Sequence, residues 1–190
     1  MGLTYHHLDD DNVRPSILAA WSSEWEELLH DYGPRECYGK QLTEAGWDAF
    51  GLLMPEALSA QDDDWLRGHM DVPEFWVAHL QRKTKTRFTN VDYNKSEAID
   101  KLAFGEFNIA YIHGLAIHLL ARGETECVVY RAGNAVEERT ECTAWEESPV
   151  PLADVLAGHR ARYHPAPGDR RAWSLPTGPN CHHSIRSLNS

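Results

Sequence analysis

At 190 residues with 42% hydrophobic content, the chain is long enough for one substantial core, too short for two ordinary domains and too apolar to be disordered. No apolar run approaches the roughly 20 residues that span a bilayer, which predicts no membrane segment. The opening MGLTYHHLDDD lacks the basic and apolar regions of a signal peptide, so the expectation is a soluble protein that is not secreted. The net charge of −11 argues against a strong nucleic-acid surface, because phosphate contacts dominate that affinity.

The first element is NVRPSILAAWSSEWEELLHDYG, where Ile17, Leu18, Trp21, Trp25, Leu28 and Leu29 recur at helical spacing and Gly33-Pro34 closes the run. A second helix, LTEAGWDAFGLLMPEAL, takes Thr43 as its N-cap and buries Trp47, Phe50, Leu53 and Met54, with Pro55 ending or kinking it. DDDWLRGHM and VPEFWVAHLQRKT read as two more helical segments. Asp62 to Asp64 suit a helix N-terminus, and Arg82, Lys83 and Lys85 a helix C-terminus.

The strongest signal is NKSEAIDKLAFGEFNIAYIHGLAIHLLARG. Asn94 can cap it, Glu97 sits three residues on, and Gly123 fits the left-handed position after the last turn. Its apolar residues run nearly all round, so it is predicted to be the central helix, wrapped by its neighbours. Gly105 and Gly114 cost it helix propensity, which predicts close approach of another backbone.

Beyond it, ECVVYRA reads as a strand, Gly133-Asn134 as a turn and AVEERTEC as the return strand of a hairpin near 125–143. PLADVLAGHRARY predicts a short helix. From His164 the chain is rich in proline and lacks a period, so residues 164–190 are expected to form an extended C-terminal arm on a single domain spanning 1–163. The fold class expected is mainly α with some β (α+β).

Four cysteines (Cys37, Cys127, Cys142 and Cys181) lie far apart, which predicts reduced thiols, mostly packed as small hydrophobes. In an extended GPNCHHS, Cys181 and His183 face one side and His182 the other, so the first two could share a zinc ion. Cys142, His159 and His164 are the further ligands on offer, and the alternative is a tail held by ordinary hydrogen bonds. On the central helix His113 and His118 diverge by about 140° and cannot share a metal. Glu106 shares a face with His113, which leaves open a small zinc- or histidine-dependent enzyme with a site near Glu106, His113 and the terminal Cys/His cluster. No GxSxG, phosphate-binding loop or dinucleotide fingerprint is present. No catalytic residue and no required cofactor is therefore predicted, with zinc as the one open possibility.

The order EFNIAYIHGL, ECVVYRA, RTECTAWEESPVPL, RYHP and GPNCHHSI, over roughly residues 105–186, resembles the closing portion of tailed-phage minor head (head-morphogenesis) proteins. Cys142, His164, Pro179, Asn180, Cys181 and His182 occupy the matching places, and Cys142 stands alone where the family usually has a cysteine pair. The resemblance implies a virion protein of the head or head–tail connector, found in the virion or the bacterial host cytoplasm. It would act by assembly with copies of itself and with other virion proteins. Residues 157–190 carry five arginines against Asp169 alone. The expected interaction residues are accordingly Arg160, Arg162, Arg170, Arg171, Asn180, Cys181, His182 and His183.

Overall fold

The structure, a computed structural model, describes residues 2–31, 40–83, 87–133, 146–163 and 182–189, without the side chains of 31 and 160–163. It is mainly helical with small antiparallel sheets, the α+β class the sequence predicts. No helix among the described residues is long and apolar enough to cross a membrane.

Helix α1 (Val13–Asp31) turns Ile17, Trp21 and Leu28 into the core, as the stripe predicts, while Leu29 at its border is exposed. Helix α2 (Glu44–Ala60) starts at Thr43, whose hydroxyl accepts the Gly46 N–H at 3.1 Å. It does not stop at Pro55. An internal proline costs a helix about 3 kcal/mol, but Ala57 and Leu58 beyond it are fully buried, and that burial holds the last turn in place. Helix α3 (Asp63–Met70) is capped by Asp62, which accepts the Trp65 N–H at 2.8 Å.

The segment after α3 departs from the helical expectation. Pro73–Phe75 make a single tight turn, and the chain then runs extended into β1 (Leu80–Lys83), paired antiparallel with β2 (Phe88–Val91). Two forces override the helix. Trp76 is pinned by its indole N–H to the Met70 carbonyl at 2.8 Å, and the Val77 N–H reaches Gln41 O at 2.8 Å, so the backbone is already extended there. Beyond Trp76, QRKTKTRFTNV has no apolar face at a 3.6-residue period, whereas Thr, Phe and Val favour a strand.

The central helix begins and ends where the sequence places it. Asn94 caps α4 (Lys95–Asp100), a wide π turn spans Lys101–Glu106, and α5 (Phe107–Ala121) continues to Gly123, whose φ of 84° is the left-handed position. The π turn was not legible from the apolar pattern, which runs through it unbroken. Phe107, Tyr111 and Leu115 are fully buried. Only one of the two glycines explains itself by close approach. A Cβ on Gly114 would strike the backbone of Ile17 in α1, whereas Gly105 has nothing within 4 Å of that position.

Strand β3 (Glu126–Arg131) is the middle of a three-stranded sheet, with β4 (Pro149–Pro151) on one edge and β5 (His183–Ser187) on the other, both antiparallel. The predicted return strand of a 125–143 hairpin, AVEERTEC, lies outside the described residues. Helix α6 (Leu152–Tyr163) follows β4 and packs on α5. Of the expected arm, 164–181 and 190 lie outside the described residues, and 183–187 form β5, with Ile185 and Ser184 fully buried. Residues 183–187 belong to the folded body.

The N-terminal residues lie over the same sheet: Thr4 N–H donates to Ala132 O at 2.8 Å and Tyr130 Oη to Thr4 O at 2.7 Å. Asp63 fastens this segment, accepting from Leu3 N at 2.9 Å and from Tyr5 Oη at 3.1 Å. Burial, reinforced by Asp64 and Asp62 and opposed by those two hydrogen bonds, pushes the Asp63 carboxyl up to about 6. A folded-state value above the unfolded one gives a contribution fully present below about pH 4 and lost as pH rises through about 6. The loss is about 3 kcal/mol. We expect stability to fall over that interval in urea titrations, and Asp63→Asn, which cannot ionise, to flatten the slope.

Candidate functional site

Helices α1 and α5 pack in opposite directions: Ser16 Oγ meets His118 Nδ1 at 3.2 Å, Ile17 backs onto Gly114, and Glu24 reaches His113. Without a Cβ at Gly114 the helices come close enough for Glu24 to stand beside the His113 ring. Helix α6 closes the third side and delivers His159. Both Glu24 carboxylate oxygens lie 2.7 Å from His159 Nε2, and Oε2 lies 3.5 Å from His113 Nδ1. The two imidazoles stack with centroids 3.9 Å apart and planes inclined by 22°.

The group is largely but not fully buried, with side-chain exposures of 10% for Glu24, 19% for His113 and 7% for His159. Burial alone would raise the Glu24 carboxyl, but His113 and His159 beside it outweigh that and hold the value down at about 2. Glu24 is therefore a carboxylate at neutral pH. Since an ionised carboxylate only accepts, the proton in its contact with His159 sits on His159 Nε2. His113 Nδ1 is buried and has no hydrogen-bond partner. One carboxylate oxygen and two imidazole nitrogens from three helices lie within 4.8 Å of one another. Such a set can hold a proton in common or ligate a metal ion.

The sequence placed these residues differently. His113 finds its carboxylate in Glu24, not in Glu106, which stands in the π turn. His118 is directed to Ser16, so the two histidines do separate as their spacing requires. His159 was on offer as a ligand, but for the terminal cluster. Glu24 was missed, although a signal existed: it lies three residues after Trp21 and four before Leu28, a carboxylate on an otherwise apolar stripe. His159 likewise falls four residues after Val155 and seven after Leu152, on the buried face of α6.

Of the terminal candidates, His183 opens β5. Its Nε2 lies 2.7 Å from Glu146 Oε1, and its carbonyl accepts from Asn108 Nδ2 at 2.8 Å. Arg131 grips the same Glu146 oxygen through Nε at 2.9 Å and Nη2 at 2.6 Å. Burial opposes the charge on Glu146, but Arg131 and then His183 hold its carboxyl below the usual range. These contacts lock the last strand in place. His182 faces the other way, into a cleft of about 380 Å³ lined by Leu3, Thr4, Arg131 and Gly133; burial there, then His183 and Arg131, lower its pKa. Cys142, His164, Arg170, Arg171, Asn180 and Cys181 lie outside the described residues. Arg160 and Arg162 lie on α6, their side chains outside the description. Among the described residues Cys127 is a buried free thiol, pushed up to about 12 chiefly by burial, as a packed small hydrophobe should be.

No protein-family model matches this chain, and no curated protein or solved structure matches it either.

Proposed function

We propose that the protein is a structural assembly component, of the virion head or head–tail connector type that its C-terminal half resembles, and that it works as an oligomer. The observation that carries this reading is the β1–β2 hairpin. Its base is fastened by Tyr93 Oη donating to Val77 O at 2.7 Å and by the His79–Asp92 contact at 2.7 Å. Beyond that base only Leu80 and Thr89 are even half-buried among its described residues, and Phe88 is 64% exposed. A two-stranded ribbon without a core beneath it is marginal in water. A partner that covers Phe88 and Val91 supplies what the fold does not.

Charge names the partner as a second copy of this chain. Residues 80–91 contain Arg82, Lys83, Lys85 and Arg87 and no acidic residue, which leaves the rest of the chain at −15. A basic arm on an acidic body is complementary to its own neighbour in a head-to-tail contact, the geometry that closes into rings. On this reading the self-association surface is 80–91, upstream of the C-terminal residues from which the sequence expected it.

Sedimentation velocity tests the reading. The intact chain should sediment as an oligomer at low salt and dissociate towards monomer at 1 M salt, where the screening length is about 3 Å. Phe88→Ser with Val91→Ser should sediment as a monomer with an unchanged circular dichroism spectrum. An intact chain that is monomeric at low salt, or a doubly substituted one that still assembles, overturns it.

A second reading, a histidine-dependent enzyme, draws on the Glu24–His113–His159 group. Exposures of 7–19% give a substrate little access to those side chains, so assembly is the better supported.

A further inference from the structure

We propose that Glu24, His113 and His159 form a site for a divalent metal ion of the zinc class, which ties α1, α5 and α6 together. The donor set selects the ion. Two imidazole nitrogens and one carboxylate oxygen suit zinc and its neighbours, whereas calcium and magnesium take oxygen ligands.

The two separations from Glu24 fit as well, and all three donors lie within 4.8 Å of one another. Metal–ligand bonds of about 2.0–2.2 Å in a tetrahedral arrangement set the donors roughly 3.3–3.5 Å apart. The 3.5 Å between Glu24 Oε2 and His113 Nδ1 already has that value. The 2.7 Å between Glu24 and His159 Nε2 is the length of a hydrogen bond, so the ion would replace that proton and open the contact by less than about 1 Å. Binding displaces the proton from His159 Nε2, to solvent from an imidazolium or to Nδ1 from a neutral ring, and leaves Glu24 and both imidazoles as ligands, with water in the fourth position.

Two features of the cluster are otherwise unexplained. The Glu24 carboxylate, 10% exposed between three helices, has only the two imidazoles beside it among the described residues. Beside it, His113 Nδ1 is a buried nitrogen with no hydrogen-bond partner. A cation between them satisfies both. The ligands come from residues 24, 113 and 159, so one ion would cross-link three distant parts of the chain.

The test uses the full chain, stripped with a chelator and dialysed, then titrated with zinc chloride by calorimetry and with cobalt chloride by visible absorption. We expect one equivalent per chain, a cobalt spectrum of four-coordinate intensity, and a melting temperature several degrees higher with zinc. Glu24→Gln and His159→Gln should each weaken zinc binding at least tenfold while circular dichroism shows an intact fold. Cys142→Ser with Cys181→Ser should leave stoichiometry and affinity unchanged, which separates this site from the terminal cluster. Three results overturn the proposal: no zinc bound by the stripped chain, full affinity in Glu24→Gln and His159→Gln, or loss of binding in the double cysteine variant. If either Gln variant fails to fold, the cobalt spectrum of the intact chain decides, since a site without imidazole nitrogen would give a different ligand-field band.

Discussion

Replacing Gly114 with alanine is expected to cost about 3 kcal/mol or more, a fall in melting temperature of roughly 6–12 °C for a chain of this size. The added methyl would meet the Ile17 backbone, with the Ile17 nitrogen only 2.8 Å away, and a backbone in the middle of a packed helix cannot swing aside as a side chain can. Helices α1 and α5 would have to separate, and that separation also draws Glu24 away from His113. Gly105→Ala is the matched control. Nothing lies within 4 Å of its new methyl, so the substitution should be neutral or stabilise by up to about 1 kcal/mol through helix propensity. Thermal melts of the two variants side by side check both. Equal effects would mean that the close approach at Gly114 does not govern the packing.

The second large effect is expected from a stop after residue 181. That truncation removes β5, strips one edge from β3 and exposes the surface that Ile185 covers. It leaves Asn108 Nδ2 buried without its acceptor and takes His183 from Glu146, whose remaining partner is Arg131. It also removes the Ser187 N–H that donates to His7 Nε2 at 3.1 Å and the Ser187 hydroxyl that donates to Glu124 at 2.7 Å. A domain holds only about 5–15 kcal/mol in total, so losing a strand with this many buried partners should abolish the cooperative transition. The milder Ile185→Ala should cost about 2–5 kcal/mol. A truncated chain with a native far-ultraviolet spectrum and a sharp melt would show that the sheet does not need its last strand.

This changes the meaning of GPNCHHS. For His183 and Ser184, the described strand residues of that stretch, an anchoring role was legible in the sequence, because a proline-rich stretch ends in a dense set of hydrogen-bonding side chains. That the anchor is a strand of the main sheet was not, since HHSIRS is short and its partner β3 lies more than fifty residues upstream.

Other elements divide along the same line between local and distant causes. Thr43, Asn94 and Gly123 could be assigned because a cap or a left-handed turn needs a particular residue at one position. The Gly114 contact followed from a glycine inside an apolar helix, a cost that calls for a packing reason. The β1–β2 hairpin was hidden because Arg82 and Lys83 satisfy the electrostatics of a helix C-terminus as well as they decorate an exposed ribbon. What decided it was Trp76, whose carbonyl partner on Met70 is a tertiary contact. The π turn and the helix running through Pro55 were likewise settled by burial elsewhere. The Glu24–His113–His159 group was half-legible: each helix shows a polar residue on its buried face, but only the fold brings the three together.

The central claim is that the hairpin joins copies of this chain, and the mass of the native particle at low salt tests it most directly. Native mass spectrometry of the intact protein should give one closed multiple of the 21.6 kDa chain, reduced to the single-chain mass when Arg82 and Lys83 are replaced by glutamate. A single-chain mass for the intact protein, or an unchanged multiple in the charge-reversed variant, would contradict the account.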